Sequence, residues 1–390
     1  VRGILVAAWL LGLAASVAGL ALVLLLLRPS ADLAMPLAAM TSSVALIWVT
    51  LSFCGAIRDY AGVTRSFLLG LSVSLLGAVV AAIKGFGATG MAIGFSLGLN
   101  VVLLGLARRV FATFPHTVVD VVPYVVDLLK GFRTYWQLPL GAFIGTVGVW
   151  VDKWVFWASA QGEAVAGGLL HAPIYDSAMF IASLAIIPSL SAFVLRLETD
   201  FFARYQHYYA IIRAHGTLRQ IETARERLAA YTLDNLALVT FVQAGISAVL
   251  ALAAPAIIET LSLQFRQIAI LRFGAIGGVF QFLLIASTAM LLFFDRRNLY
   301  LGIQALFAGL VLSLTVVTLV LGENYYGVGY FLASVISGFV AYRIAARTFD
   351  RLNFLTFLGN NPAIVPSSSA SRAKSLRRVS VPPQPAAADH

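Results

Sequence analysis

Apolar residues in this chain fall in unbroken runs rather than in alternation, and the polar positions are gathered in the gaps between those runs. Ten runs are long enough for a helix to cross a bilayer: residues 3–27, 33–57, 66–83, 89–106, 137–158, 174–195, 233–254, 271–294, 299–321 and 327–346. A spanning helix needs about 20 apolar residues. Lipid admits only helices and closed barrels, because every backbone N–H and C=O must be satisfied within the protein. Barrel strands alternate apolar and polar residues with period two, so continuous runs predict helices. The expected fold class is an all-α polytopic membrane protein. Composition agrees: 60% of the residues are hydrophobic, 11% are charged and the mean hydropathy is +0.90.

The net charge of +10 is first a topology signal. Of the 27 Lys and Arg residues, 22 lie at the N-terminus, in every second gap, or at and after the end of the last run; Arg28, Lys84, Arg266 and Arg272 lie in or at the edges of the other gaps, and Lys153 lies within span five. Basic loops stay on the cytoplasmic side, which places both termini in the cytoplasm. Because the charge is spread over loops instead of gathered on one folded face, nucleic-acid binding is not expected. The chain begins at Val1 without methionine. Either a GTG start was read literally or an upstream part is missing, and the second is the expectation.

Two gaps on the basic side exceed a turn. Residues 107–136 contain an apolar stretch from Val118 to Leu129, closed by Gly131, which predicts an interfacial helix. In residues 196–230, Phe201, Tyr205, Tyr208 and Ile212 recur at helical spacing among charges. That pattern predicts a helix at the headgroup boundary followed by a charged helix. It is either a plain connector or a docking surface for a cytoplasmic partner, with Arg204, Arg213, Arg219 and Arg225 as the docking candidates. The tail from Pro366 to His390, rich in Ser, Pro and Ala, is expected to be disordered.

Little of this sequence suggests catalysis. Gly94-Phe95-Ser96-Leu97-Gly98 spells a nucleophile elbow, but that motif needs a strand-to-helix turn and here lies within a lipid-length run. Gly90, Gly94 and Gly98 read better as a small-residue ladder for close helix packing, a device repeated by Gly141 and Gly145. There is no phosphate-cradling Gly-x-x-x-x-Gly-Lys loop, no His-Glu-x-x-His, and no Asp-x-Asp or Gln-x-x-Arg-Trp of membrane sugar synthases. The one cysteine, Cys54, reads as an apolar filler. No enzyme activity, cofactor or metal is expected. Asn100, Gln243, Gln281 and Gln304 are expected to form interhelical hydrogen bonds.

The strongest chemical signal is the end of span five, Val149-Trp150-Val151-Asp152-Lys153-Trp154-Val155-Phe156-Trp157. An ionisable pair inside a span is costly and usually faces the bundle interior or a wet cavity. Helical geometry groups Lys153 with Trp150, Trp154 and Trp157, and Asp152 with Phe156. Span six enters with Tyr175-Asp176, so a Lys153–Asp176 or Lys153–Asp152–Asp176 cluster is expected. Two readings remain open. One is a substrate path walled by aromatic faces that stack on sugar rings; the other is a snorkelling lysine in an interfacial tryptophan belt. Pro188 in span six predicts a kink, either static or a hinge.

From Val151-Asp152-Lys153-Trp154 through Ala172-Pro173-Ile174-Tyr175-Asp176-Ser177-Ala178-Met179-Phe180 to Ile187-Pro188-Ser189-Leu190, the chain resembles the PelG family. The likeness continues through Arg196-Leu197-Glu198-Thr199-Asp200-Phe201-Phe202 and Tyr208-Tyr209 to Phe357-Leu358-Gly359-Asn360-Asn361-Pro362. These are inner-membrane exporters of the Pel biofilm polysaccharide in the multidrug/oligosaccharidyl-lipid/polysaccharide (MOP) exporter superfamily. The resemblance implies a two-lobe bundle of twelve membrane helices around a central cavity, of which ten are present and the first pair is missing. Residues 1–106 would then be the rest of the first lobe, 107–136 a connector, 137–346 the second lobe and 347–390 a cytoplasmic tail. It also implies flippase-like export of an N-acetylhexosamine-rich polymer into the periplasm. The implied partners are a cytoplasmic glycosyltransferase, a cyclic-di-GMP receptor and a membrane-anchored repeat protein. The alternative is a non-conducting membrane scaffold that anchors the glycosyltransferase complex.

Overall fold

In the computed structural model the described residues are 1–27, 30–57, 59–114, 120–165 and 169–357. Arg28 and Arg58 of the charge pattern, Val118 and Val119 of the expected interfacial helix, residues 358–362 of the resemblance and the tail from Pro366 lie outside them. The described chain is almost wholly helical and divides into two compact units.

The first unit comprises Val1–Phe143 and Lys153–Asp176. It holds α1 (Arg2–Leu27), α2 (Ala31–Ile57), α3 (Tyr60–Ile83), α4 (Gly87–Thr113) and α5 (Val122–Thr134). The first four have 24 to 27 residues, or about 36–40 Å at 1.5 Å per residue. Asp59 caps α3 by accepting a 2.9 Å hydrogen bond from the Gly62 N–H. The turn to α4 uses Gly85 and Gly87 at φ +72° and +62°, a region costly for residues with a Cβ.

The two helices meet almost backbone to backbone. A Cβ on Gly94 would lie 2.4 Å from the Gly77 carbonyl carbon, and one on Gly98 would lie 2.3 Å from the Gly70 carbonyl oxygen. The ladder expected at Gly94 and Gly98 therefore has a complement on α3, in Gly70, Ser74 and Gly77, while Gly90 faces Phe86 and Ala81. Around this seam Leu5, Ile47, Cys54, Leu99, Val102, Leu106 and Val110 form the core, with Cys54 in the filler role. Asn100 accepts a 3.3 Å hydrogen bond from Ser43 on α2, an interhelical contact of the expected kind. Helix α5 runs through Gly131 instead of ending there and buries none of its residues.

The chain leaves this unit along α6 (Gln137–Trp157), returns to it within α6, and closes it with a two-residue hairpin of β1 (Glu163–Ala164) and β2 (Leu170–His171) before α7 (Pro173–Leu184). The hairpin pairs Glu163 with His171 and Ala164 with Leu170.

The second unit comprises Ile144–Asp152 and Ser177–His390, of which 177–357 are described in the latter stretch. After α7 the helix breaks at residues 185–186 and restarts as α8 (Ile187–Arg196) with Pro188 in its first turn, where a missing N–H costs nothing. A π turn (Leu197–Phe201) leads to α9 (Phe202–Arg213), and then to α10 (Leu218–Thr260), α11 (Gln267–Phe293), α12 (Arg297–Leu321), α13 (Val328–Asp350) and α14 (Leu352–Phe357). Helix α10 opens on a capping box, Thr217 and Gln220 each bonding the other's backbone N–H.

Helix α11 is the most buried long helix described. It packs closely on α13, where a Cβ on Gly277 would meet the Tyr330 ring at 2.7 Å and one on Gly338 the Phe280 carbonyl oxygen at 2.6 Å. The aromatic face expected to lie at the headgroup boundary packs inward instead. Phe201 and Tyr208 are buried in a core with Leu228, Phe294, Phe349 and Leu352, because α9 folds back under α10, α13 and α14.

Among the described residues eight helices, α1–α4 and α10–α13, and the stretch Pro173–Arg213 that joins α7, α8 and α9 make nine segments long and apolar enough to cross a membrane by length and composition. The remaining expected span, 137–158, is helical as α6, and its 21 residues give about 31 Å. Asp152 and Lys153 dilute its apolarity, and it is not among the nine.

Candidate functional site

Two side-chain clusters grow from the last turns of α6, one in each unit. The helical period separates the faces of α6 as the spacing predicts. Trp150 and Trp154 are open, 46% and 44% exposed, whereas Asp152 and Phe156 are buried at 0% and 1%. Lys153 and Trp157 are intermediate. The chain changes unit between Asp152 and Lys153 and again between Asp176 and Ser177.

In the second unit Asp152 lies within electrostatic reach of Tyr330 on α13. The Tyr330 hydroxyl donates to the Gln281 side-chain oxygen on α11. Gly277 leaves room for this ring, since any side chain there would strike it. Ser334 and Ser337 follow Tyr330 at i+4 and i+7, and both are fully buried. The hydroxyls of Ser287, Thr315 and Ser337 are buried with no hydrogen-bond partner among the described residues. Buried polar groups are otherwise almost always satisfied, by protein or by ordered water. This interior thus combines a buried carboxyl, a carboxamide and several hydroxyls, which suits a hydrated polar interior better than a dry core. The other expected interhelical amides differ: Gln243 donates within its own helix to Ser247 at 3.1 Å, and Gln304 lies against Gly145.

In the first unit Asp176 ties the start of α7 to the end of α6. Its Oδ2 accepts from Trp157 Nε1–H at 2.7 Å and from the Ala172 N–H at 2.9 Å, with His171 Nε2 at 3.9 Å. Its Oδ1 is buried without a hydrogen-bond partner among the described residues. The tryptophan and the backbone hold this carboxyl, because the hairpin folds residues 171 and 172 onto it. Tyr175 is buried and stacks on Phe156, with ring centroids 3.9 Å apart and planes at 16°. It is a packing element, not an open aromatic wall. Pro188 is exposed at the α7–α8 break.

The docking arginines also separate. Arg204, Arg213 and Arg219 are exposed, and Arg204 covers the Tyr231 ring at 4.2 Å. Arg225 is only 14% exposed. It binds Glu222 through two nitrogens at 3.0 and 2.6 Å and the Phe349 carbonyl oxygen at 3.2 Å. Glu222 in turn accepts from Asn353, and Asn353 accepts from Tyr208 at 2.8 Å. Such a satisfied network fastens α13 and α14 to α9 and α10 and leaves Arg225 little reach for a partner. Among the described residues no cluster of three or more His, Cys, Asp or Glu could hold a metal.

The sequence reading missed Tyr330, Ser334 and Ser337. Their i, i+4, i+7 spacing was a visible signal of one polar helix face.

Residues 1–357 match the PelG family of exopolysaccharide exporters (EPS-E). No curated protein matches the chain. The fold is similar to that of a multidrug resistance MATE family transporter of the MOP superfamily in its outward-facing conformation, at 17% identity and TM-score 0.66, covering 90% of this chain and 79% of that one. It is also similar to a MATE in the bent conformation, at 16% identity and TM-score 0.62, covering 90% and 77%. At such identities the likeness speaks for the fold alone, a MOP-type helical membrane fold. With the family match across nearly all of the described residues, the chain belongs to the PelG family of membrane exopolysaccharide exporters.

Proposed function

We propose that this chain moves an N-acetylhexosamine-rich exopolysaccharide of the Pel type from the cytoplasm to the periplasm across a bacterial inner membrane, for a biofilm matrix. The observation that carries the reading is the family match over residues 1–357. The bias of basic residues to every second loop supports cytoplasmic termini by the positive-inside rule. Such a polymer is uncharged in transit, and the open faces of Trp150 and Trp154 suit it: the C–H face of a sugar ring stacks on indole, and its hydroxyls reach polar neighbours such as Lys153. Lys153 and Trp157 border that face, Asp152 lies buried on the opposite face of α6, Asp176 and Tyr175 set its frame, and Pro188 is the point where span six can bend. Exposed Arg204, Arg213 and Arg219 are the docking surface for the cytoplasmic glycosyltransferase and cyclic-di-GMP receptor of the system, with the membrane-anchored repeat protein alongside. The chain itself transports and does not catalyse.

The test is the compartment of the polymer in a Pel-producing strain that lacks its own exporter, complemented by the gene that encodes this chain. Secretion by the wild type, and retention in the cell by Lys153→Ala and by the pair Trp150→Ala/Trp154→Ala at equal membrane abundance, is the expected result. Equal secretion by all three removes the path from this helix. Retention by all of them, with the partner complex still assembled, replaces the exporter by a scaffold.

A further inference from the structure

The hairpin between α9 and α10 holds a pocket of about 280 Å³, lined by His207 and Ile211 from α9 and by Thr217, Arg219, Gln220, Thr223, Ala224 and Arg227 around the start of α10. Its chemistry is one-sided. Two arginines and a histidine face it, three further lining residues carry hydroxyl or amide groups, and no acidic residue lines it. Arg219, Thr223 and Arg227 are spaced by four, which puts them on one stripe of α10; His207 and Ile211 repeat the spacing on α9. The acids of the same helix segment are engaged elsewhere: Glu222 and Glu226 lie 2.6 and 3.9 Å from Arg225. Neither Arg219 nor Arg227 has a carboxylate within 4 Å among the described residues, so both are available to an outside anion. The positive end of the α10 dipole adds to the same field.

We propose that this pocket binds a phosphoryl group. The guanidinium fork matches phosphate oxygens with paired N–H donors; the Thr217 and Thr223 hydroxyls already donate to Gln220 Oε1 and to the Arg219 carbonyl oxygen, so the two arginines carry the site. A drug-sized ligand fills about 300–1,000 Å³, so this pocket takes a phosphate or diphosphate and leaves whatever carries it outside. Two carriers present that chemistry: the headgroup of an anionic lipid and a free diphosphate such as the end of a nucleotide. The pocket does not depend on the export reading, and either carrier can be sought in its absence.

The test uses the purified chain in nanodiscs of phosphatidylcholine alone, titrated with pyrophosphate by calorimetry. The same preparation in mixed phosphatidylcholine and phosphatidylglycerol is read for retained lipid by native mass spectrometry. Arg219→Gln/Arg227→Gln is the test variant and Arg133→Gln, an exposed cation of α5 outside the pocket, is the control; unchanged melting certifies that both fold. Pyrophosphate binding that weakens at least tenfold in the double variant and stays within twofold in the control establishes the site for a soluble phosphoryl ligand. Phosphatidylglycerol retention that falls by at least half in the double variant only, without pyrophosphate binding, establishes it for a lipid headgroup. Any binding that survives unchanged in the double variant, or none in either arm, overturns the proposal.

Discussion

Replacing Gly94 by alanine tests the close seam of α3 and α4 directly. The new methyl would sit 2.4 Å from the Gly77 carbonyl carbon and 2.6 Å from its oxygen, against about 3.5–4 Å for unstrained contact. Both obstacles are backbone atoms, so no rotamer change relieves the clash, and the two helices must part by about 1 Å. That separation loosens the neighbouring contacts of Gly98 with Gly70 and Ser74 and of Gly70 with Val102. Overpacking of this kind costs about 1–3 kcal/mol, or a factor of about 5 to 150 in the folding equilibrium. Alanine also gains up to about 1 kcal/mol over glycine in helix propensity. The fair reference is therefore Gly309→Ala in α12, where an added Cβ meets nothing within 4 Å. Equilibrium unfolding in mixed micelles with increasing sodium dodecyl sulfate should place Gly94→Ala about 1–3 kcal/mol below Gly309→Ala. Agreement of the two within about 0.5 kcal/mol refutes the backbone-to-backbone seam.

Trp157→Phe keeps an aromatic side chain, though a smaller one, but removes the N–H donated to Asp176, and should cost about 1.5–3 kcal/mol in the same assay, whereas Trp154→Phe on the open face should change stability by less than about 0.5 kcal/mol. Arg225→Ala takes the guanidinium from Glu222 Oε1 and from the Phe349 carbonyl, and should lower the melting midpoint by an amount worth about 1–3 kcal/mol; Arg213→Ala, exposed, should leave the midpoint in place. Gly327→Ala forces φ +89° on a residue with a Cβ, and should destabilise by about 1–3 kcal/mol without changing which residues of α13 are protected from hydrogen exchange.

Hydropathy marked most helix positions because lipid selects for it: the run 3–27 became Arg2–Leu27 and 299–321 became Arg297–Leu321. It understated helices that leave the apolar run. The run 233–254 became Leu218–Thr260, because charged residues continue a helix as readily as apolar ones; the Thr217-x-x-Gln220 capping box was the available sign of its true start. On α6, period alone separated open Trp150 and Trp154 from buried Asp152 and Phe156. Partner choice was not legible in the same way. Helical spacing pointed Asp176 towards Lys153, but it carried no sign of the Ala172 N–H and the Trp157 indole that the hairpin and the end of α6 present to it. Likewise the contact of Gln281 with Tyr330 joins positions 49 apart, on helices whose rotation no single pattern fixes. Phe201 and Tyr208 showed an apolar face, and only α13 and α14 revealed that protein, not lipid, covers it.

Helix α10 has 43 residues, which at 1.5 Å each makes a rod about 64 Å long, roughly twice the hydrocarbon thickness of a bilayer. A rod that long is a lever. If it pivots near residue 244, in the middle of its apolar run, the Thr217 end stands about 39 Å from the fulcrum, and a tilt of about 10° carries that end about 7 Å sideways. Because Arg225 and its network fasten α14 and the end of α13 to the same arm, they travel with it. Small changes in helix tilt within the membrane thereby become large displacements outside it, and a load applied to the far end is returned to the span as torque.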